Sequence, residues 1–184
     1  LYSKTKETVE ISESQLSPIE YWDRKRLNGE YKEFQEIGEK AIKSGKLAAV
    51  TMAGGQGTRL GHKGPKGTFD IGLDSHKSLF ELLCDSLKAE GKKYGVTIPW
   101  FIMTSKENNQ ETIDFFAKHK YFGYEKNKNI FFFEQGELPM VDTEGKILIG
   151  EDGLIKEAAD GHGGIYEALV KNGMTKKMRE LGVE

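Results

Sequence analysis

The residues best equipped for chemistry lie in one short stretch, Gly54-Gly55-Gln56-Gly57-Thr58-Arg59-Leu60-Gly61 followed by Gly64-Pro65-Lys66-Gly67. Six of the fourteen positions from Gly54 to Gly67 are glycine, so the chain can turn sharply and aim its N–H groups into one concavity. Such a loop supplies donors to an anion with no side chains in the way. Arg59 adds a forked donor and Lys66 a point charge. Together they suit a polyphosphate. The spacing excludes a Walker A loop, which needs Gly, four residues, then Gly-Lys-Ser/Thr. A dinucleotide fingerprint needs a third glycine where Leu60 stands. The looser Gly55, Gly57, Gly61 spacing resembles variant dinucleotide loops but leaves both cations unexplained. A surface turn with two solvated cations is the plain alternative.

The elements around the loop must position it. Leu47 to Ala53 is a continuous apolar run without alternation, which predicts a strand buried on both faces, as in a parallel sheet. Trp100–Met103 and Ile130–Phe133 repeat that pattern. Between them, Ser78-Leu79-Phe80-Glu81 opens a capped helix with Leu79, Leu83 and Leu87 four apart, and Ile113, Phe116 and Ala117 mark another. Cys84 falls on the inner side of the first of these helices and reads as a small core residue. A turn-rich stretch leads to Gly163-Gly164 and two closing helices broken at Asn172-Gly173. Met174, Met178 and Leu181 form an apolar stripe there. Strands alternating with helices predict a three-layer, Rossmann-like α/β domain with mostly parallel strands.

Upstream, residues 1–15 read as a flexible arm and 16–45 as a helical preface to the domain at 46–184. Ser17-Pro18-Ile19-Glu20 predicts a capped helix ended by Asn28-Gly29. Phe34, Ile37 and Ala41 predict a second, closed by Gly45.

Composition narrows the function classes. Among 184 residues, 27 Lys+Arg against 29 Asp+Glu leave a net charge of −2, which argues against bulk-charge nucleic-acid binding and a polybasic membrane patch. A single cysteine excludes an internal disulfide and any multi-cysteine zinc site. No apolar run is long enough to span a bilayer, and the expected compartment is the cytoplasm. The chain opens on Leu1 and stops at Glu184, which suggests a piece of a longer protein.

Beyond the loop, further motifs carry a resemblance. They are Pro99-Trp100-Phe-Ile-Met103-Thr-Ser105, Lys118-His-Lys-Tyr-Phe-Gly123, Gln135-Gly136-x-Leu138-Pro139 and Asp160-Gly-His-Gly-Gly164-Ile-Tyr166. With the glycine loop they resemble the eukaryotic-type UDP-sugar pyrophosphorylases, and within them the UDP-N-acetylglucosamine branch. The resemblance covers about Pro18 to Gly182 and implies an incomplete nucleotide-diphospho-sugar transferase sheet. It also implies a uridylyltransferase that joins a sugar 1-phosphate to the UMP part of UTP and releases pyrophosphate.

By that resemblance Lys66 lies near the reacting α-phosphate and Arg59 toward the departing pyrophosphate. Gly54 and Gly55 pass close to uracil and ribose, and Gly57 and Thr58 lie nearer the phosphates. Gln135 reads the uracil edge, Gly161 lies against the nucleoside, and His162 faces ribose or sugar. A fixed cation about 4 Å from a phosphate charge contributes at most roughly 4 kcal/mol at an effective dielectric near 20, or about a thousandfold in rate. The acetylglucosamine branch has Asn where His162 stands, and the UDP-glucose branch follows its Gly-His-Gly with Asp where Gly164 stands. The sugar therefore stays open between N-acetylglucosamine 1-phosphate and glucose or broader use. A Mg²⁺ ion is expected for the parent enzyme, its aspartate ligand falling beyond Glu184 and no metal ligand within this chain. Turnover is expected to need the longer chain. A non-catalytic uridine-nucleotide module and a dinucleotide-dependent oxidoreductase fragment are the rivals.

Overall fold

The computed structural model describes residues 12–21 and 30–184. Three parallel strands form the sheet: β1 (Ala49–Met52), β2 (Trp100–Thr104) and β3 (Ile130–Glu134), in the order β1-β2-β3. The register aligns Ala49 with Trp100 and Trp100 with Ile130. Continuous apolar runs feed the central strand, and all of β2 is buried. Burying each such large side chain contributes roughly 1.5–3 kcal/mol.

Helices cover both faces, as a three-layer architecture requires. On one face α2 (Leu79–Tyr94) and α3 (Asn109–Lys118) bury Phe80, Cys84 and Phe116 against Trp100, Ile102 and Ile130. Phe80 and Phe116 rings lie 4.8 Å apart, and Trp100 meets Phe116 edge-on at 5.5 Å. On the other face α4 (Ile165–Lys171) and α5 (Met174–Glu180) place Ala168, Met174, Met178 and Leu181 over Phe101, Met103, Phe131 and Phe133. Gly173, in the left-handed region at φ 71°, breaks the two helices where Asn172-Gly173 predicted. Ser78 caps α2, its Oγ accepting from Glu81 N–H at 3.2 Å, and Gly95 closes it at φ 71°.

Several expectations need correction. β1 is not buried on both faces: Val50 and Met52 are 39% and 47% exposed. Among the described residues β1 pairs only with β2, and α4 and α5 sit over β2 and β3. The core face of α2 is Phe80, Cys84, Leu87 and Gly91 rather than the whole Leu79–Leu83–Leu87 row; Leu83 is 44% exposed. Ala117 of α3 also faces outward.

Residues 16–21 have no helical turn, so no helix starts at Ser17; its predicted end at Asn28-Gly29 lies outside the described residues. A single turn forms earlier, at Glu13–Gln15, where Ser12 N–H donates to Gln15 Oε1 at 2.9 Å. The second upstream helix is α1 (Glu30–Lys43), with Ala41 and Ile42 half-buried while Phe34 and Ile37 stay exposed.

The turn-rich stretch after β3 contains a small antiparallel arm. Its strands β4 (Glu137–Pro139) and β5 (Glu157–Ala159) pair directly. Bridges Val141–Ile147 and Ile149–Ile155 continue the arm outward.

Candidate functional site

Ligands of open parallel sheets bind beyond the carboxyl ends of the strands. Here Ala53 and Gly54 leave β1, Ser105 leaves β2 and Gln135 leaves β3 at that end of the sheet. An open cleft of about 810 Å³ lies there, lined by Gly55, Thr58, Arg59, Lys66 and His162, with Leu79, Phe80 and Leu83 as an apolar wall. That wall explains why Leu83 is not in the core. Five of the nine residues expected at the site therefore meet in one cleft. Among the described residues, neither Arg59 nor Lys66 forms an ion pair. Both cations are exposed and free to meet a ligand anion.

The glycine loop is a tight hairpin rather than an open nest. Gly57 N–H donates to Gly64 C=O (2.9 Å) and Lys66 N–H to Gly55 C=O (3.0 Å). Two single turns, Thr58–Leu60 and Lys66–Thr68, carry Arg59 and Lys66 on its two limbs. Gly57 itself does not line the cleft. Its N–H serves the loop itself, it is buried, and an added Cβ would lie 2.8 Å from the His62 side chain. Among the amides not taken up by these bonds are those of Gly54, Gly55 and Gln56, and of Thr58 and Arg59 at the opening of a turn. Gly67 lets the second limb rest on the core, since a Cβ there would stand 2.2 Å from the Phe80 ring. Phe80 thereby fixes the turn that carries Lys66.

Asn108, which the sequence did not single out, ties the loop to the sheet. It is fully buried, and its Nδ2 donates to Ala53 C=O (3.0 Å) and Gly55 C=O (3.5 Å). Its Oδ1 accepts from Ser105 N–H (2.9 Å), while Ser105 Oγ accepts from Asn108 N–H (3.3 Å). A buried amide satisfied on both sides specifies one geometry. The signal was legible as Ser-x-x-Asn at a strand-to-helix junction, a reciprocal cap in form.

Gln135 does not line the large cleft, but its side chain packs over Gly54, between the lining residues Ala53 and Gly55. A Cβ on Gly54 would stand 2.5 Å from Gln135 Oε1. Gln135 also lines an adjoining cavity of about 220 Å³ with Gly136, Asp160, Glu167 and Lys171. The Asp160 carboxylate sits between two glycines: a Cβ on Gly136 or Gly164 would approach it to 2.4 or 2.2 Å. Its backbone N–H donates to Gly136 C=O at 3.1 Å. Asp160 thus joins the Gln135-Gly136 turn to the His162–Gly164 turn, and it requires glycine at 164 where the UDP-glucose pattern carries an aspartate. Beside it the Lys171 ammonium titrates above its ordinary value, held there first by its hydrogen bond to Glu167 and with a smaller contribution from Asp160. Gly161, at φ 83° and ψ 179°, occupies a conformation open only to glycine and swings His162 into the cleft.

A parallel sheet whose first strand runs into a glycine hairpin bearing two unpaired cations defines an α/β domain with an anion-suited loop at its strand ends. The sequence profile described as UTP–glucose-1-phosphate uridylyltransferase matches residues 1–184, and the chain belongs to this family. It is 39% identical over 191 residues to the UDP-N-acetylglucosamine pyrophosphorylase of Saccharomyces cerevisiae, covering 100% of this chain and 39% of that protein. It is 42% identical over 159 residues to UDP-N-acetylglucosamine diphosphorylase 1 of Arabidopsis thaliana, covering 81% of this chain and 31% of that one. A crystal structure of the uridine diphosphate N-acetylglucosamine pyrophosphorylase of Trypanosoma brucei superimposes with a TM-score of 0.75 at 32% identity. That superposition covers 88% of this chain and 35% of the other. The chain thus spans 31–39% of the length of the two curated relatives it matches.

Proposed function

We propose that this chain is the nucleotide-loop part of a uridylyltransferase that makes UDP-N-acetylglucosamine from UTP and N-acetylglucosamine 1-phosphate. The observation that carries the reading is the 810 Å³ cleft at the strand ends, where Arg59 and Lys66 stand unpaired beside free loop amides. In the reaction a sugar phosphate oxygen attacks the α-phosphorus of UTP. The new P–O bond forms as the bond to the bridging oxygen breaks, and pyrophosphate leaves with that electron pair. Every partner is anionic, so rate comes from placement and fixed positive charge rather than a protein nucleophile. Lys66 faces the α-phosphate and Arg59 the departing pyrophosphate. The amides of Gly54 and Gly55 border the nucleoside, those of Thr58 and Arg59 the phosphates. Gln135 pairs with the uracil edge, since its amide both donates and accepts. Gly161 lies along the nucleoside.

Magnesium is the expected cofactor of the longer enzyme. Among the described residues no three His, Cys, Asp or Glu side chains converge as a group that could hold an ion. Nor is any helix among them long and apolar enough to cross a membrane. The relatives named for UDP-N-acetylglucosamine support that sugar. His162, exposed at the cleft, supports the second reading, a broader UDP-sugar enzyme. Calorimetric titration tests the nucleotide: UTP should bind the chain more tightly than ATP, GTP or phosphate, and equal affinities would refute the uridine reading. In the full-length enzyme, competition between N-acetylglucosamine and glucose 1-phosphates decides the sugar.

A further inference from the structure

We propose that His62 is a positioning residue that sets the spacing of Arg59 and Lys66 for a polyphosphate, an inference that rests on the function proposed above. His62 lies between the two limbs of the glycine hairpin and touches both. Its backbone N–H donates to Gly57 C=O at 3.2 Å, at the entry to the turn that carries Arg59. Its ring Nε2 lies 2.7 Å from Thr68 Oγ1, at the end of the turn that carries Lys66. Thr68 Oγ1 spends its own proton on Pro65 C=O at 2.8 Å, so it accepts from His62 and the proton resides on Nε2. Protonation of the ring keeps that donor.

The loop is shaped around this ring. A Cβ on Gly57 would stand 2.8 Å from His62 Cβ and Cδ2, and one on Gly64 would stand 3.6 Å from Nε2. Phe69 closes the far side, ring centroids 5.4 Å apart. Both Gly57 and Pro65 are buried against this arrangement. Without the imidazole, the Nε2–Oγ1 link between the limbs is gone. Each cation keeps its own turn and the two backbone bonds of the hairpin remain, but the side-chain link between the two turns is lost, so their spacing is less tightly held and a ligand must order it on binding.

The test is calorimetric titration of the 184-residue chain with UTP, ATP, uridine and inorganic tripolyphosphate, in wild type, His62→Ala, Thr68→Val, the double variant and His62→Gln. His62→Ala should lose about three- to tenfold in UTP and tripolyphosphate affinity, the range of one neutral hydrogen bond, and keep its uridine affinity. Thr68→Val should match it, and the double variant should be no weaker than either single one, because both remove the same link. His62→Gln retains an N–H donor and should bind as wild type does. Unchanged UTP affinity in His62→Ala and Thr68→Val would overturn the proposal, as would an equal loss of uridine and UTP. If wild type prefers UTP no more than ATP while His62→Ala still loses tripolyphosphate affinity, the uridine reading fails and the clasp stands. Binding of neither UTP nor tripolyphosphate by wild type would overturn both.

Discussion

Two glycine-rich regions meet at the strand ends, and they use glycine for opposite electrostatic purposes. In the Gly54–Gly67 hairpin the backbone folds around an imidazole clasp and leaves two cations without ion-pair partners. In the Gly136 and Gly161–Gly164 turns the backbone closes on a carboxylate, Asp160, whose Oδ1 is buried without a hydrogen-bond partner. The first region presents positive charge to an open cleft; the second holds negative charge inside. A phosphate tail is favoured beside the first and disfavoured against the Asp160 carboxylate of the second. Under the function proposed above, the phosphates go to the hairpin and the base to the Gln135 side.

The largest expected effect breaks the hairpin half of that division. Because Arg59 and Lys66 are exposed, their contribution falls below the 4 kcal/mol ceiling. Replacing both with alanine should still weaken UTP by about a hundredfold or more, from two charge-assisted contacts. Uridine affinity should not change in the same titration.

A smaller effect should separate the other half. Gly164→Ala forces a methyl group against the Asp160 carboxylate and should destabilise the fold by about 1–3 kcal/mol in urea unfolding. It should weaken uridine and UTP together and spare tripolyphosphate. Loss of tripolyphosphate binding instead would mean that the two regions act as one.

The smallest effect should ignore both regions. Burial raises the Cys84 thiol from its ordinary 9.0 to about 11 and the Tyr124 phenol from 10.0 to about 12. Both groups prefer the neutral form when folded, so their stabilisation is complete below pH 9 and falls as the pH rises from there toward 12. Unfolding at stepped alkaline pH checks this, and Cys84 should resist thiol reagents until the chain unfolds. Neither response should depend on UTP.

Much of the sheet was legible because β2 and β3 are continuous apolar runs, and the helix from Leu79 carries its own cap at Ser78. Exposure of β1 was not legible: a run such as Ala48 to Met52 is read as buried regardless of which neighbours flank it. The α2 register failed for a related reason. Leu79 and Leu83 satisfy a helical period as well as Phe80 and Cys84 do, and only the cleft shows why the leucines face outward. That Arg59 and Lys66 share a cleft was readable from residue type and order, and the family resemblance added Gly55, Thr58 and His162. That the Gly57 amide bonds within the hairpin was not legible, because glycine in sequence does not reveal whether its amide serves a ligand or its own loop. The Ser105–Asn108 cap was legible from its spacing, but the bonds of Asn108 to Ala53 and Gly55 and of His62 to Thr68 join residues distant in the chain or across a hairpin, which spacing alone does not encode.

The most direct measurement is the backbone amide spectrum of the chain during titration with UTP and then with uridine. Amides of Gly54–Gln56, Thr58, Arg59 and Lys66 should shift with UTP, while uridine moves only those near Gly54, Gln135 and Gly161. Equal shifts at Thr58, Arg59 and Lys66 with both ligands, or UTP shifts confined to the arm at 137–159, would contradict the assignment of the hairpin to the phosphates.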